Sequence, residues 1–231
     1  MFRPQVNQDN YNLFSRGVLF NIGYLLIQNK VDYIVCHDVD LIPFNNFYKY
    51  DNQNKIKHLS KYVSQFKYLI PFNSIFGGVE YFDNSTFEFL NGFHNLIQGR
   101  GIEDDYMFKL IKVNNLTIKR PDCYYLSLPK FTDDIDTVLK KNKSEFTIAR
   151  KIGLKIHKEI NQKKINAFGL KEIINNDFKV KINNFNYIDK NIIFVNVDFE
   201  KSYNSKIMLK YQNNFSKEYV KNILDILKYR H

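Results

Sequence analysis

A short apolar run that stops on two carboxylates constrains this chain more than any other stretch: DYIVCHDVDLIP, residues 32–43. Tyr33 to Cys36 are apolar and rich in β-branched side chains, the composition of a buried strand. The preceding NLFSRGVLFNIGYLLIQN (12–29) places Phe14, Leu19, Ile22 and Leu26 near helical spacing and predicts an amphipathic helix. A helix followed by a buried strand is the rhythm of an α/β layer fold. In open sheets of that class ligands gather beyond the carboxyl ends of strands, and Asp38 and Asp40 stand at such an end.

Strand side chains alternate, so Asp38 and Asp40 share a face. Carboxylates so placed either dress a solvated turn or hold something. Mg2+ and Mn2+ take oxygen ligands, and one or two protein carboxylates commonly bridge them to substrate phosphates. The apolar lead-in favours the second role, because acids at the buried end of a strand need partners. His37 points to the opposite face and reads as a packing residue.

Further along, HLSKYVSQF (58–66) predicts a helix, and YLIPFNSIFGGVEYF (68–82) predicts a strand, a turn at Gly77 and Gly78, and a second strand. NSTFEFLNGF (84–93) opens a short helix with Asn84 or Ser85 as cap. GRGIEDDYMFKLIKVNN (99–115) is a glycine-containing loop followed by a helix with Glu103, Asp104 and Asp105 in its first turn. Acids there suit the helix dipole and its orphan amides. They are equally able to supply a general base beside an anion held by those amides. Residues 138–165 are basic, FKVKI and NIIFVNV predict late strands, and SKEYVKNILDILKYRH predicts a closing amphipathic helix capped by Ser216. One domain over 1–231 is the economical reading.

With 44% hydrophobic and 25% charged residues over 231 positions, the composition is that of a folded globular chain. No apolar run approaches the roughly 18 residues of a membrane span, and MFRPQVNQDN does not read as a secretory signal, so the expectation is a cytoplasmic protein. Cys36 and Cys123 have no metal-type spacing and read as reduced thiols. The net charge of +10 favours anionic partners such as substrate phosphates. The lysines are scattered, however, and an AT-rich coding sequence explains the Asn, Ile, Lys, Tyr and Phe bias as well. Nucleic acid is not an expected partner.

Taken in order, NQDNYNLFSRGVLFNIGY, HDVDLIP, FGGVEYF, FLNGFHN and GRGIEDD resemble the β-1,4-galactosyltransferase family, glycosyltransferase family 7. The resemblance is firm over residues 5–130 and continues more faintly through NAFGLKEIINNDFKVKI. It implies a GT-A-like α/β fold with a mixed, mostly parallel sheet flanked by helices. It also implies an inverting transfer of galactose or N-acetylgalactosamine from a UDP-sugar to an acceptor sugar hydroxyl of a glycan, with Mn2+ or Mg2+. By the same resemblance Phe14 and Arg16 contact the nucleotide, Asp38 supports the ribose beside Val39, and Asp40 ligates the metal. Gly77 and Gly78 let the backbone approach the donor sugar. Glu103, Asp104 and Asp105 bind the acceptor, with Asp104 as catalytic base alongside Glu103.

The pattern departs from the family in four places. Arg100 stands where the family has a tryptophan, and would meet the donor diphosphate instead of stacking on sugar. The family's later Met and His metal ligands fall on Leu126 and Pro129, which leaves His157 as a candidate substitute. The segment begins near Val6 without the strand and uridine-binding loop that precede it in the family. The expectation is therefore a sheet without its first nucleotide-binding strand, with a partner chain or self-association at the exposed edge. Ile75 replaces the tyrosine of galactose-specific members and leaves room for an N-acetyl group. An alternative within the family is a catalytically weak member that serves as a sugar-binding or partner subunit.

Overall fold

Helix α1 (Arg16–Ile27) and strand β2 (Tyr33–His37) form where the amphipathic and apolar runs predict them. The computed structural model describes residues 3–8, 14–45, 48–51, 53–98, 102–128, 143–159, 168–187 and 192–199. The apolar run does not continue through the two aspartates. Asp38 to Asp40 make a turn, in which Leu41 N–H donates to Asp38 O at 3.3 Å, and a new strand β3 (Leu41–Pro43) starts beyond it.

Three small sheets follow. In the first, β6 (Val79–Asp83) is central, antiparallel to both β2 and β4 (Ile56–His58). In the second, β7 (Tyr124–Ser127) is antiparallel to β3 and parallel to β5 (Tyr62–Val63). In the third, β9 (Ile192–Phe199) lies between β1 (Arg3–Gln8), which is parallel to it, and β8 (Val180–Tyr187), which is antiparallel. The α/β class is as expected, but antiparallel pairing dominates among the described strands, in place of the mostly parallel sheet. Parallel neighbours need a long crossover. Here β4 returns to β6 through the loop ending in Gly77 and Gly78 instead.

Two local expectations are corrected. Residues 58–66 are not a helix: Leu59 and Val63 mimic helical spacing, but both are buried against Tyr125 and Val79, and Tyr62 N–H donates to Cys123 O at 3.1 Å. Only Ser64–Phe66 forms a 3-10 turn. The predicted strand before the glycines is a loop, in which Lys67 and Tyr68 adopt φ of 53° and 57°. Helix α2 (Asn84–Phe89) is capped by Asp83, one residue before the expected cap, through Thr86 N–H at 2.7 Å. Helix α3 (Glu103–Val113) and both late strands appear as predicted. The basic stretch holds a helix α4 (Lys143–Glu159), and a short α5 (Leu170–Ile174) follows. The predicted C-terminal helix lies outside the described residues. No helix among the described residues is long and apolar enough to cross a membrane.

The first sheet divides two apolar clusters. Val79 and Tyr81 join the smaller one with Leu41, Leu59 and Tyr125. Phe82 joins the larger one with Ile34, Cys36, Val18 and Ile22. Phe82 rings meet those of Phe87 and Phe93 at 5.3 and 6.4 Å, and burying each such ring contributes about 1.5–3 kcal/mol. Because strand residues alternate, Glu80 lies on the Phe82 side, facing α1. Cys36 and Cys123 are both free and buried. Burial raises the Cys36 thiol pKa well above its ordinary value and that of Cys123 to about 11.

Candidate active site

Arg16 opens α1, and its guanidinium is the hub of the site. Nε donates to Asp38 Oδ1 at 2.7 Å, and Nη1 donates to Asp104 Oδ1 at 2.5 Å. Nη2 donates to both oxygens of Glu80, at 2.9 and 3.0 Å. The Phe20 ring covers the remaining face, 4.5 Å away. Four elements thus meet at one side chain: α1, the turn after β2, the start of β6 and the first turn of α3. Burial opposes the arginine's charge, but Glu80, Asp104 and Asp38 outweigh it and hold its pKa well above the ordinary value.

Three carboxylates around one cation are an unequal match. Burial pushes Glu80 well above the usual carboxylate range, against the pull of Arg16. Burial also lifts Asp104, with Glu103 and Asp38 adding to it and Arg16 opposing it, to about 7. The Asp104 side chain is a quarter open to solvent, so it combines a high proton affinity with access. Glu103 is buried behind it. Asp105 is exposed and turns toward α4, where His157 and Arg150 act against the burial that raises its pKa.

The glycine turn builds the wall opposite. A Cβ on Gly77 would run into the Asp104 carboxyl group. Gly78 has φ +83°, and a Cβ there would meet Ser60 Oγ at 2.8 Å and Leu41 Cδ1 at 2.9 Å. Its carbonyl accepts from the Asp38 N–H at 2.8 Å, which ties the turn to the acid loop. Gly77 O accepts from Ser60 Oγ at 2.5 Å and from His58 Nε2 at 3.0 Å. His58 is buried and its pKa is pushed down to about 4, so it donates as a neutral ring. His37 likewise packs: Nδ1 donates to Asp38 O at 2.7 Å, and Nε2 accepts from the Tyr48 hydroxyl at 2.8 Å.

Asp40 has a different setting. Its carbonyl accepts from Leu128 N–H at 2.8 Å, and the β3–β7 register puts Ile42 opposite Leu126. Ile42 is 45% exposed and Leu126 42%, while Val39 at 97% projects into solvent. No group of three or more His, Cys, Asp or Glu side chains suited to a metal gathers among the described residues. His157 lies against α3, where its carbonyl accepts from Lys109 Nζ at 2.8 Å, and it joins no such group with Asp40. The described donor set at Asp40 is one carboxylate beside aliphatic side chains, which does not fit a resident cation site. Arg100 and Pro129 lie outside the described residues.

A sequence model of the N-terminal domain of galactosyltransferase matches residues 57–133, a span that holds the glycine turn and the Glu103–Asp105 acids. Human β-1,4-galactosyltransferase 1 is 34% identical over 119 residues, covering 51% of this chain and 30% of that protein. Over this span the chain is similar in sequence to the β-1,4-galactosyltransferases. Other relatives include the pig (Sus scrofa) β-1,4-galactosyltransferase 5, at 33% over 119 residues (51% of this chain, 31% of the relative). A β-N-acetyl-D-glucosaminide β-1,4-N-acetylglucosaminyl-transferase of Lymnaea stagnalis is 38% identical over 104 residues, 43% of this chain and 21% of that one. The chain therefore spans about a third or less of the length of these relatives. In structure it is similar to the catalytic domain of Drosophila β-1,4-galactosyltransferase 7 in complex with xylobiose, with TM-score 0.59 and 22% identity. A mutant of the same Drosophila enzyme in complex with manganese, UDP-Gal and xylobiose gives TM-score 0.61, again at 22% identity. Each comparison covers 86% of this chain and 80% of the other, and shares the fold.

Of the residues matched to galactosyltransferase motifs, Arg16, Asp38, Gly77, Gly78 and Asp104 converge, and Glu103 backs them. Phe14 is 59% exposed just before α1, and Ile75 is half-buried, its carbonyl taking a bond from Arg120 Nη2 at 2.7 Å. Val39, Asp40 and Asp105 stand outside the guanidinium cluster. Sequence reasoning missed Glu80, although a lone acid inside the apolar GVEYF was a visible signal.

Proposed function

We propose that this chain is a galactosyltransferase-family transferase domain that moves a hexose from a UDP-sugar to a hydroxyl of an acceptor sugar, with inversion. The observation that carries this reading is Asp104: a partly open carboxyl with raised proton affinity, fixed by Arg16 opposite the Asp38 turn. Asp104 accepts the acceptor hydroxyl proton as its oxygen bonds to the anomeric carbon, and the bond from that carbon to UDP breaks on the opposite face. Asp38 and Arg16 line the donor side, and the Gly77–Gly78 turn admits the sugar close to the backbone. Glu103 supports the acceptor hydroxyl with Asp104, and Asp105 extends the acceptor side toward α4.

The donor is UDP-galactose or UDP-N-acetylgalactosamine. Ile75 occupies the position that favours room for an N-acetyl group, and the Lymnaea relative is itself named for N-acetylglucosaminyl transfer. A cation arriving with the donor diphosphate would find Asp40 as its protein carboxylate. None of the steps above depends on that cation. The test is release of UDP from each donor by the purified chain, with and without Mn2+, in the presence of sugar glycosides as acceptors. Transfer that vanishes in Asp104→Asn supports the proposal. Failure to bind UDP by calorimetry defeats it, and UDP binding without transfer favours the sugar-binding alternative.

A further inference from the structure

Glu80 is the second residue of β6, the central strand of its sheet, and its side chain is fully buried. A carboxylate in that place adds nothing to strand pairing and is costly to desolvate, so its presence calls for a partner and a use. Its face of the sheet is mostly apolar, with Ile34, Cys36 and Phe82 beside it and the buried His58 paired opposite it on β4. Both of its oxygens accept from Arg16 Nη2. That grip leaves Nη1 for Asp104 and Nε for Asp38, each reached by a single bond. The guanidinium is planar and rigid, so fixing one nitrogen from behind fixes the directions of the other two.

We propose that Glu80 is a positioning residue: from inside the sheet it holds the Arg16 guanidinium in the orientation that aims Asp104 at the acceptor hydroxyl. The inference rests on the reading of Asp104 as the base. Glu80 touches no substrate itself and acts only through Arg16. A residue that merely balanced charge would affect stability and leave the chemical step alone.

Glu80→Gln keeps the shape and one acceptor but gives up the two-oxygen grip. It should lower kcat for UDP release from UDP-galactose by about tenfold or more while UDP affinity by calorimetry stays within about twofold. In an Arg16→Lys background, where no planar fork remains to orient, the same substitution should cost less than about twofold. Glu80→Asp withdraws the carboxylate by one methylene with its charge intact, and should show the same loss in kcat if Glu80→Gln does not fold. Wild-type kcat in both variants, or an equal loss in both Arg16 backgrounds, overturns the proposal. Thermal unfolding supplies an arm independent of turnover. Glu80→Gln and Asp104→Asn should be non-additive when Arg16 is present and additive in Arg16→Lys; additivity throughout overturns the proposal. A chain that transfers no sugar yet keeps this coupling defeats the transferase reading alone.

Discussion

Asp38 and Asp40 are two residues apart and live in different chemistry. Asp38 is locked to a buried guanidinium that also grips Glu80 and Asp104. Asp40 sits on a sheet edge whose neighbours, Ile42 and Leu126, are aliphatic and half open to water. The turn between the two strands separates them. The difference teaches that Asp-x-Asp is not one site here: one acid belongs to an internal charge network, and the other to a turn beside solvent-facing aliphatic side chains.

Breaking the network should cost most. Arg16→Met leaves Glu80, Asp104 and Asp38 uncompensated, and denaturant unfolding should show a loss of about 3–5 kcal/mol. Asp104→Asn keeps the shape, and UDP-sugar turnover should fall about 10²–10⁴-fold. In the wild type, turnover should rise with pH through about 7, because a base works only after losing its proton, and burial has lifted Asp104 to that value. Gly77→Ala sharpens the geometry: its methyl displaces the Asp104 carboxyl, and kcat should drop about 10–100-fold with UDP affinity kept.

A smaller effect comes from His94, buried against Tyr106 and Phe168, whose pKa burial pushes down to about 3. Between about 6.5 and 3 the unfolded chain takes up the proton that the folded one refuses. Stability therefore falls as pH drops through that window. His94→Gln should flatten the decline by up to about 1.4 kcal/mol per pH unit, as read from melting curves. The least effect is expected at the other acid, where Asp40→Ala should change unfolding by no more than about 0.5 kcal/mol. A large loss there would mean that Asp40 is tied into the network after all.

The elements that sequence pattern exposed were those with local causes. Helix α1, helix α3 and the late strands announce themselves through periodicity, and the acids of α3 through their place in a first turn. What stayed hidden depends on contacts distant in the chain. Leu59 and Val63 look helical until Cys123 and the following strand β7, with Tyr125, arrive from a distant part of the chain. Glu80 shows in sequence as a lone acid in an apolar run, but β6 is covered on both faces, so no alternation tells which way that acid points or what it meets. Its partner, Arg16, was legible only as a nucleotide contact implied by the resemblance and not as the hub of three carboxylates.

The buried, free thiols carry a practical consequence. With Cys36 and Cys123 sealed in separate apolar clusters and their proton affinities raised, neither yields a reactive thiolate in the folded chain. Val39, projecting into solvent between the two aspartates, is thus a place where Val39→Cys installs one addressable handle for a fluorophore or spin probe. A dye attached there would report donor arrival by its own signal, with the native cysteines left untouched.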